Sequence, residues 1–191
     1  WGSRLRPTSD GGFICIGWGT SYDGDMVGNH GTDDMFVAKL NADGAVQWKR
    51  ALGGSLSEIG FDCAETADGS FMIVGNSYST NGDLTTNQGG RDLWVVKLSA
   101  AGDLIWQRTY GGSNTELGGT ILETTDGGFL LQLTTGSNDG DVIGYHDGGT
   151  QDHWLLKIDG SGAVLWSRAL GGSGFDAGSK LIMTADGGFM V

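Results

Sequence analysis

The feature that most constrains this chain is that it repeats itself. Asp10-Gly11-Gly12-Phe13 returns as Asp68-Gly69-Ser70-Phe71, Asp126-Gly127-Gly128-Phe129 and Asp186-Gly187-Gly188-Phe189, at intervals of 58, 58 and 60 residues. Other landmarks keep phase with it. They are Trp48, Trp106 and Trp166; Lys39-Leu40, Lys97-Leu98 and Lys157-Ile158; and Leu52-Gly53-Gly54-Ser55, Tyr110-Gly111-Gly112-Ser113 and Leu170-Gly171-Gly172-Ser173. A fixed period of this length means one supersecondary unit per copy, each burying its apolar surface on its neighbours. The units run 1–59, 60–117 and 118–177, and 178–191 opens a fourth.

Within the second unit, β-branched and aromatic runs bounded by Gly, Asn and Asp predict four strands, a to d, over 61–67, 70–77, 92–99 and 103–109. Asp68-Gly69 links a to b and Ala101-Gly102 links c to d. Such short links are hairpin chemistry, because glycine supplies a positive φ. Glycine occurs 37 times without a Gly-X-Y period, against one proline, as many tight turns between short strands require. Each unit is therefore expected to be a four-stranded antiparallel meander. In strand c, Phe36, Ala38 and Leu40 point one way and Met35 and Val37 the other, so both faces are apolar and both need covering. A two-layer sandwich leaves one face polar, whereas stacked blades cover both. The predicted fold is all-β, a run of β-propeller blades. Gly2 is in phase with Gly60, and Val191 with Ile73 in the middle of strand b, so the array starts and stops inside a blade. The expectation is an incomplete part of a larger propeller, with the remaining blades on the same parent chain.

The pattern Leu52-Gly53-Gly54-Ser55, Thr66-Ala67-Asp68-Gly69-Ser70-Phe71, Gly75, Asp92-Leu93-Trp94-Val95-Val96-Lys97-Leu98, Gly102 and Trp106 resembles the bacterial β-propeller repeats of the SBBP type. It also resembles related repeats of large surface and secreted proteins of Bacteroidota-like bacteria. The resemblance covers essentially the whole chain. It implies an exported, cell-surface location and a large parent protein, and it brings no catalytic residues with it.

The formal net charge of −12 argues against nucleic acid and anionic membrane surfaces as partners. No run is long and apolar enough to span a bilayer, so direct membrane insertion is not expected. Cys15 and Cys63 fall at different phases of the repeat, which gives no disulfide framework and suits small buried residues.

In a meander the long b–c loops and the unit-to-unit d–a loops share one end of the sheet. The b–c loops carry Asp23 and Asp25 up to Asp34, Asn81 and Asp83 up to Asp92, and Asp139 and Asp141 up to Asp152. The d–a loops add the in-phase acids Glu58, Glu116 and Asp176. Carboxylates, an amide and loop carbonyls in this pattern suit a hard cation such as Ca²⁺. They equally suit self-satisfied turns, in which Asp and Asn accept backbone N–H groups. The pre-strand aspartates could also pair with Lys39, Lys97 and Lys157, or with Arg50, Arg108 and Arg168. His30 and His146 lack zinc spacing. The repeated Gly-Gly-Ser serines are not unique, as a nucleophile must be. Trp48, Trp94, Trp106, Trp154 and Trp166 sit at strand phase and are expected to pack between blades. Trp18, Tyr22, Tyr78 and Tyr145 lie in or near the long loops, where rings beside Asp and Asn could stack on a sugar.

These readings together predict a non-catalytic extracellular or cell-surface module that binds a glycan or a surface protein through its long-loop face, with Ca²⁺ the candidate cofactor to order that face. The alternative is a structural spacer in a large surface or filament protein. Behind both stands a part of a glycan-active enzyme whose unique acids lie on other blades.

Overall fold

The computed structural model of the chain describes residues 2–146, 150–178 and 180–191. It is all-β. The first sheet holds β1 (Gly2–Pro7), β2 (Phe13–Gly19), β3 (Asp34–Leu40) and β4 (Val46–Leu52). The second holds β5 (Glu58–Glu65), β6 (Phe71–Ser77), β7 (Asp92–Leu98) and β8 (Leu104–Tyr110), and the third β9 (Glu116–Glu123), β10 (Phe129–Thr135), β11 (Asp152–Ile158) and β12 (Val164–Leu170). A hairpin of β13 (Ile182–Met183) and β14 (Phe189–Met190) follows. In every sheet the strand order is the chain order, so each unit is the expected meander.

Strand a of the second unit starts at Glu58, not residue 61. Glu58 pairs with Ser77, and a bulge between Gly60 and Asp62 absorbs an extra residue where the glycine looked like a strand end. The strand also stops earlier, at Glu65, because Thr66 belongs to the turn: its N–H donates to Ser70 O, and Gly69 N–H donates to Thr66 O. Gly11, Gly69 and Gly127 have φ near +80° in these turns, a conformation that costs other residues.

One clasp repeats at each a–b hairpin. The Asp10 carboxylate accepts the Thr8 hydroxyl, the Gly12 N–H and the Lys39 ammonium, the last at 2.8 Å. Asp68 takes Thr66, Ser70 and Lys97, and Asp126 takes Thr124, Gly128 and Lys157. Lys39 leads the donors that hold Asp10 well below the usual carboxylate range. At Asp68 and Asp126 the threonine leads and the lysine follows. The lysines therefore do not pair with Asp34, Asp92 or Asp152. Lysine and pre-strand acid sit at opposite ends of strand c, roughly 17 Å apart in extended chain. Arg50 is likewise drawn elsewhere, to Asp103 at 3.2 Å.

The chain forms two compact units: residues 1–87 with 94–109, and residues 88–93 with 110–191. In the first, β5 packs on the first sheet, and the buried Asp62 carboxylate takes both Arg4 and Arg6. Glycines make the close approach possible. A Cβ on Gly60 would stand 2.5 Å from Ile16 Cγ1 and 2.9 Å from Met35 Cγ, and one on Gly75 would stand 3.0 Å from Met35 Sδ. The core there gathers Ile14, Ile16, Met35, Val37, Phe71, Ile73, Trp94 and Val96. Leu93, Trp94, Val95 and Val96 are consecutive and all inaccessible, so strand c is covered on both faces. Trp48 reaches over the c–d hairpin of the second sheet: its indole N–H donates to Ala100 O at 2.9 Å, and its ring rests on Gly102.

In the second compact unit the equivalent socket is polar. Gly178 faces the His153 ring, and the Gln132 amide donates to Gly178 O. Trp94 and Trp154 are fully buried, as strand phase predicts, but Trp48 and Trp106 are only half-buried and Trp166 is 40% exposed. Cys15 and Cys63 are both free, and burial pushes the Cys63 thiol up to about 12.

Two outcomes follow. Gly60→Ala should destabilise the chain by about 1–3 kcal/mol in urea unfolding, the usual cost of overpacking, with part recovered by Ile16→Ala in the same chain. The hairpin aspartates have depressed folded values, so their contribution is complete above the ordinary carboxylate range and lost as pH falls below it. Thermal melts from about pH 5 down to about pH 2 should show that loss, and Asp68→Asn should flatten it.

Candidate functional site: a loop collar with buried carboxyl pairs

At the long-loop end, every d–a turn is gripped from its backbone. In the first copy Gly53 N–H donates to Asp83 Oδ2 at 3.0 Å, Gly54 N–H to Glu58 Oε2 at 2.7 Å, Ser55 N–H to Asn81 Oδ1 at 2.9 Å and Leu56 N–H to Ser79 Oγ at 2.9 Å. Four successive amides of an irregular turn thus find side-chain acceptors, where unpaired buried amides would be costly. The acceptors are braced in turn. Glu58 Oε1 accepts the Ser77 hydroxyl at 2.6 Å, and Ser77 Oγ accepts the Ser79 N–H at 2.9 Å.

The second copy repeats the pattern bond for bond. Gly111, Gly112, Ser113 and Asn114 donate to Asp141, Glu116, Asp139 and Ser137. Thr135 stands in for Ser77 on Glu116 Oε1 and accepts the Ser137 N–H. In the third copy Gly172 N–H donates to Asp176 Oδ2 at 2.8 Å. The loop 138–152 gives Asp139 and Asp141 to the second copy and His146 and Asp152 to the third, and its residues 147–149 lie outside the described residues.

Each turn also holds a pair of inaccessible acids or their equivalent. A Cβ on Gly53 would stand 2.6 Å from both Asp34 Oδ1 and Glu58 Oε2. On Gly111 it would meet Glu116 Oε2 and Asp92 Oδ1, and on Gly171 it would meet Asp152 Oδ1 and Asp176 Oδ2. Asp34, Glu58, Asp92, Glu116 and Asp152 are 0% exposed. Asp34 Oδ2 accepts the His30 N–H and faces His30 Nδ1 at 2.9 Å. Asp152 has the same relation to His146, while in the second copy Gln88 takes that place on Asp92.

The sequence-predicted residues therefore divide. Asp34, Asp92 and Asp152 meet Glu58, Glu116 and Asp176, and Asn81, Asp83, Asp139 and Asp141 bond the turn amides. Asp23 and Asp25 do neither: Asp23 makes no side-chain cap to the short 3₁₀ turn 24–26, and Asp25 pairs with Lys49. Ser77, Thr135, Ser79 and Ser137 were missed in the sequence. Their signal was available, because Ser77 is in phase with Thr135 and Ser79 with Ser137.

A hard cation such as Ca²⁺ requires six to eight oxygens; here Asn81, Asp83, Asp139 and Asp141 spend side-chain oxygens on the turn N–H groups, while Asp34 Oδ1 and Asp152 Oδ1 have no hydrogen-bond donor among the described residues. Among the described residues no group of three or more His, Cys, Asp or Glu side chains is placed to hold a metal. The geometry matches the other sequence reading, turns satisfied by their own acids. The first two pairs have no exposed surface, whereas Asp176 of the third is partly exposed.

Of the predicted ligand aromatics, Trp18 lines a cleft of about 700 Å³ in the first compact unit, with Arg4, Leu5, Asp25, Met26 and Phe36. Tyr22 is 67% exposed and donates to Gly31 O, Tyr78 is exposed, and Tyr145 is half-buried.

Gly53→Ala places a methyl against two buried carboxyl oxygens. It should cost more than Gly44→Ala, where a Cβ meets nothing within 4 Å and only the positive φ is penalised. Paired urea titrations of the two variants check the order.

A search against models of known families found no match, and no curated protein sequence matched the chain.

Proposed function

We propose that the meander units are blades of a β-propeller, and that the chain serves as a non-catalytic binding module at the cell surface or outside the cell, with its long-loop end as the recognition face. The observation that carries this reading is the division of labour at that end. The d–a turns are held by the same bonds in the first two copies, while large apolar side chains stand exposed on the loops of that end: Tyr22, Val27, Leu56 and Tyr78 in the first compact unit, Ile143 and Phe175 in the second. Rigid loops presenting rings and aliphatic groups among amides and carboxylates suit a glycan or a surface protein. The Ca²⁺ suggested by the loop sequences is not needed for this reading, because side-chain acceptors already hold the turn amides.

A second reading, the structural spacer, is favoured by the cleft beside Trp18. Its walls include Gly2 and Gly17, in phase with Gly60 and Gly75, which receive Ile16 and Met35 from the adjoining sheet. By that equivalence the cleft is a socket for another blade and not for a sugar.

A glycan array and a surface-protein binding screen on the intact protein separate the two. The binding reading expects a ligand class that Tyr22→Ala with Tyr78→Ala weakens at least tenfold while the melting temperature stays unchanged. A blank result in both calcium and EDTA sinks it.

A further inference from the structure

The b–c loop of the second sheet carries the only Asn-Gly step in the chain, Asn81-Gly82. Asn29, Asn41, Asn76, Asn87, Asn114 and Asn138 all precede residues with side chains. Both residues of the step are exposed, so water reaches them. A main-chain nitrogen that follows asparagine is tethered beside the side-chain carbonyl carbon, and glycine offers that nitrogen with no side chain in the way. Gly82 has φ +72°, and its N–H donates to no group among the described residues. The next two N–H groups are taken, that of Asp83 by Gly53 O at 2.9 Å and that of Leu84 by Asn81 O at 3.3 Å.

The fold also activates the carbonyl. Ser55 N–H donates to Asn81 Oδ1 at 2.9 Å. That bond draws electron density from the carbonyl carbon and points at the oxygen on which negative charge grows when a nucleophile adds. The matching places in the other b–c loops, Asp23-Gly24 and Asp139-Gly140, carry carboxylates, which are poor electrophiles. They do show what the turn accepts. Asp139 Oδ1 takes the Ser113 N–H at 2.7 Å, just as Asn81 takes that of Ser55, and Asp141 holds Gly111 as Asp83 holds Gly53. An aspartate in the Asn81 place is compatible with a complete collar.

We propose that Asn81-Gly82 is a site of self-modification that resets the grip on the 53–56 turn. The Gly82 nitrogen bonds to Asn81 Cγ, its proton passes to Nδ2, the Cγ–Nδ2 bond breaks and ammonia leaves behind a cyclic imide. One water then opens the imide at either of its carbonyls. No electrons are exchanged and no reagent other than water is needed. The proposal does not depend on the binding reading above.

The two products act differently on the turn. Opening at Cγ leaves the main chain as it was, with a carboxylate where the amide stood, which is the arrangement of Asp139. Opening at the main-chain carbonyl routes the chain through Cβ and Cγ and lengthens it by one methylene. The acceptor of the Ser55 N–H then becomes part of the main chain, and the carbonyl that held the Leu84 N–H becomes a free carboxylate. Asp83 is tied to Gly53 by two bonds and Leu84 is 2% exposed in the core, so neither follows the added length. The isoaspartyl chain therefore loosens the turn that the aspartyl chain keeps.

The test is to age the whole chain in mildly alkaline buffer, folded and in urea, and to map its peptides by mass spectrometry. Ammonia lost and water gained should appear first at Asn81. The folded chain should convert it within about tenfold of the rate in urea, because the loop shields neither the nitrogen nor the carbonyl. Asn81→Asp should release no ammonia from this loop and should unfold at the wild-type urea midpoint. The isoaspartyl chains, separated by chromatography, should unfold at a lower one. Protection of Asn81 by more than about tenfold on folding, or earlier conversion at another asparagine, would overturn the proposal, and this readout on wild type needs no variant. Isoaspartyl chains as stable as wild type, or Asn81→Asp no more stable than they are, would overturn it as well.

Discussion

The structure depends on making glycine do the work of a socket. A sheet that is apolar on both faces can stack on its neighbour only if some positions leave room for the side chains that arrive. In the first compact unit Gly60 and Gly75 leave that room for Ile16 and Met35. The Arg4 and Arg6 guanidiniums meeting Asp62 fix the same interface electrostatically. Close-packed interiors tolerate little change in volume, so these glycines define the approach distance of successive sheets.

The same residue solves a different problem at the loop end. Gly53, Gly111 and Gly171 stand where two acids converge, and no side chain would fit. The turn they form has no ladder to satisfy its amides, so the acids and amides of the long loops do so instead. The collar is therefore a device for folding irregular backbone without orphaned N–H groups. Its by-product is a set of convergent acid pairs; Asp34 and Asp152 face the imidazoles of His30 and His146, while Asp92 accepts the Gln88 backbone N–H.

Much of this was legible in the sequence. The period, the four-strand meander and the hairpin glycines follow from local chemistry, because a positive φ and a two-residue alternation are written into neighbouring residues. The roles of the acids were legible only as alternatives. Asp83 and Asn81 have the composition of calcium ligands, and nothing in their spacing says that their oxygens meet the amides of Gly53 and Ser55 some 30 residues earlier in the chain. The lysines were misread for a related reason. Lys39 and Asp34 are close in sequence, but an extended strand carries them to opposite ends of the sheet.

What the sequence determined by itself is the repeat and everything that lives within one hairpin, including the Thr-x-Asp-Gly turn that each copy rebuilds, because those interactions span only a few residues. What only the tertiary structure decided is which distant groups meet. It set Ile16 against Gly60, Trp48 over Gly102, and Asp92 opposite Glu116. Those meetings depend on how strands from successive repeats are brought side by side, and a linear order of residues does not encode the distance between them.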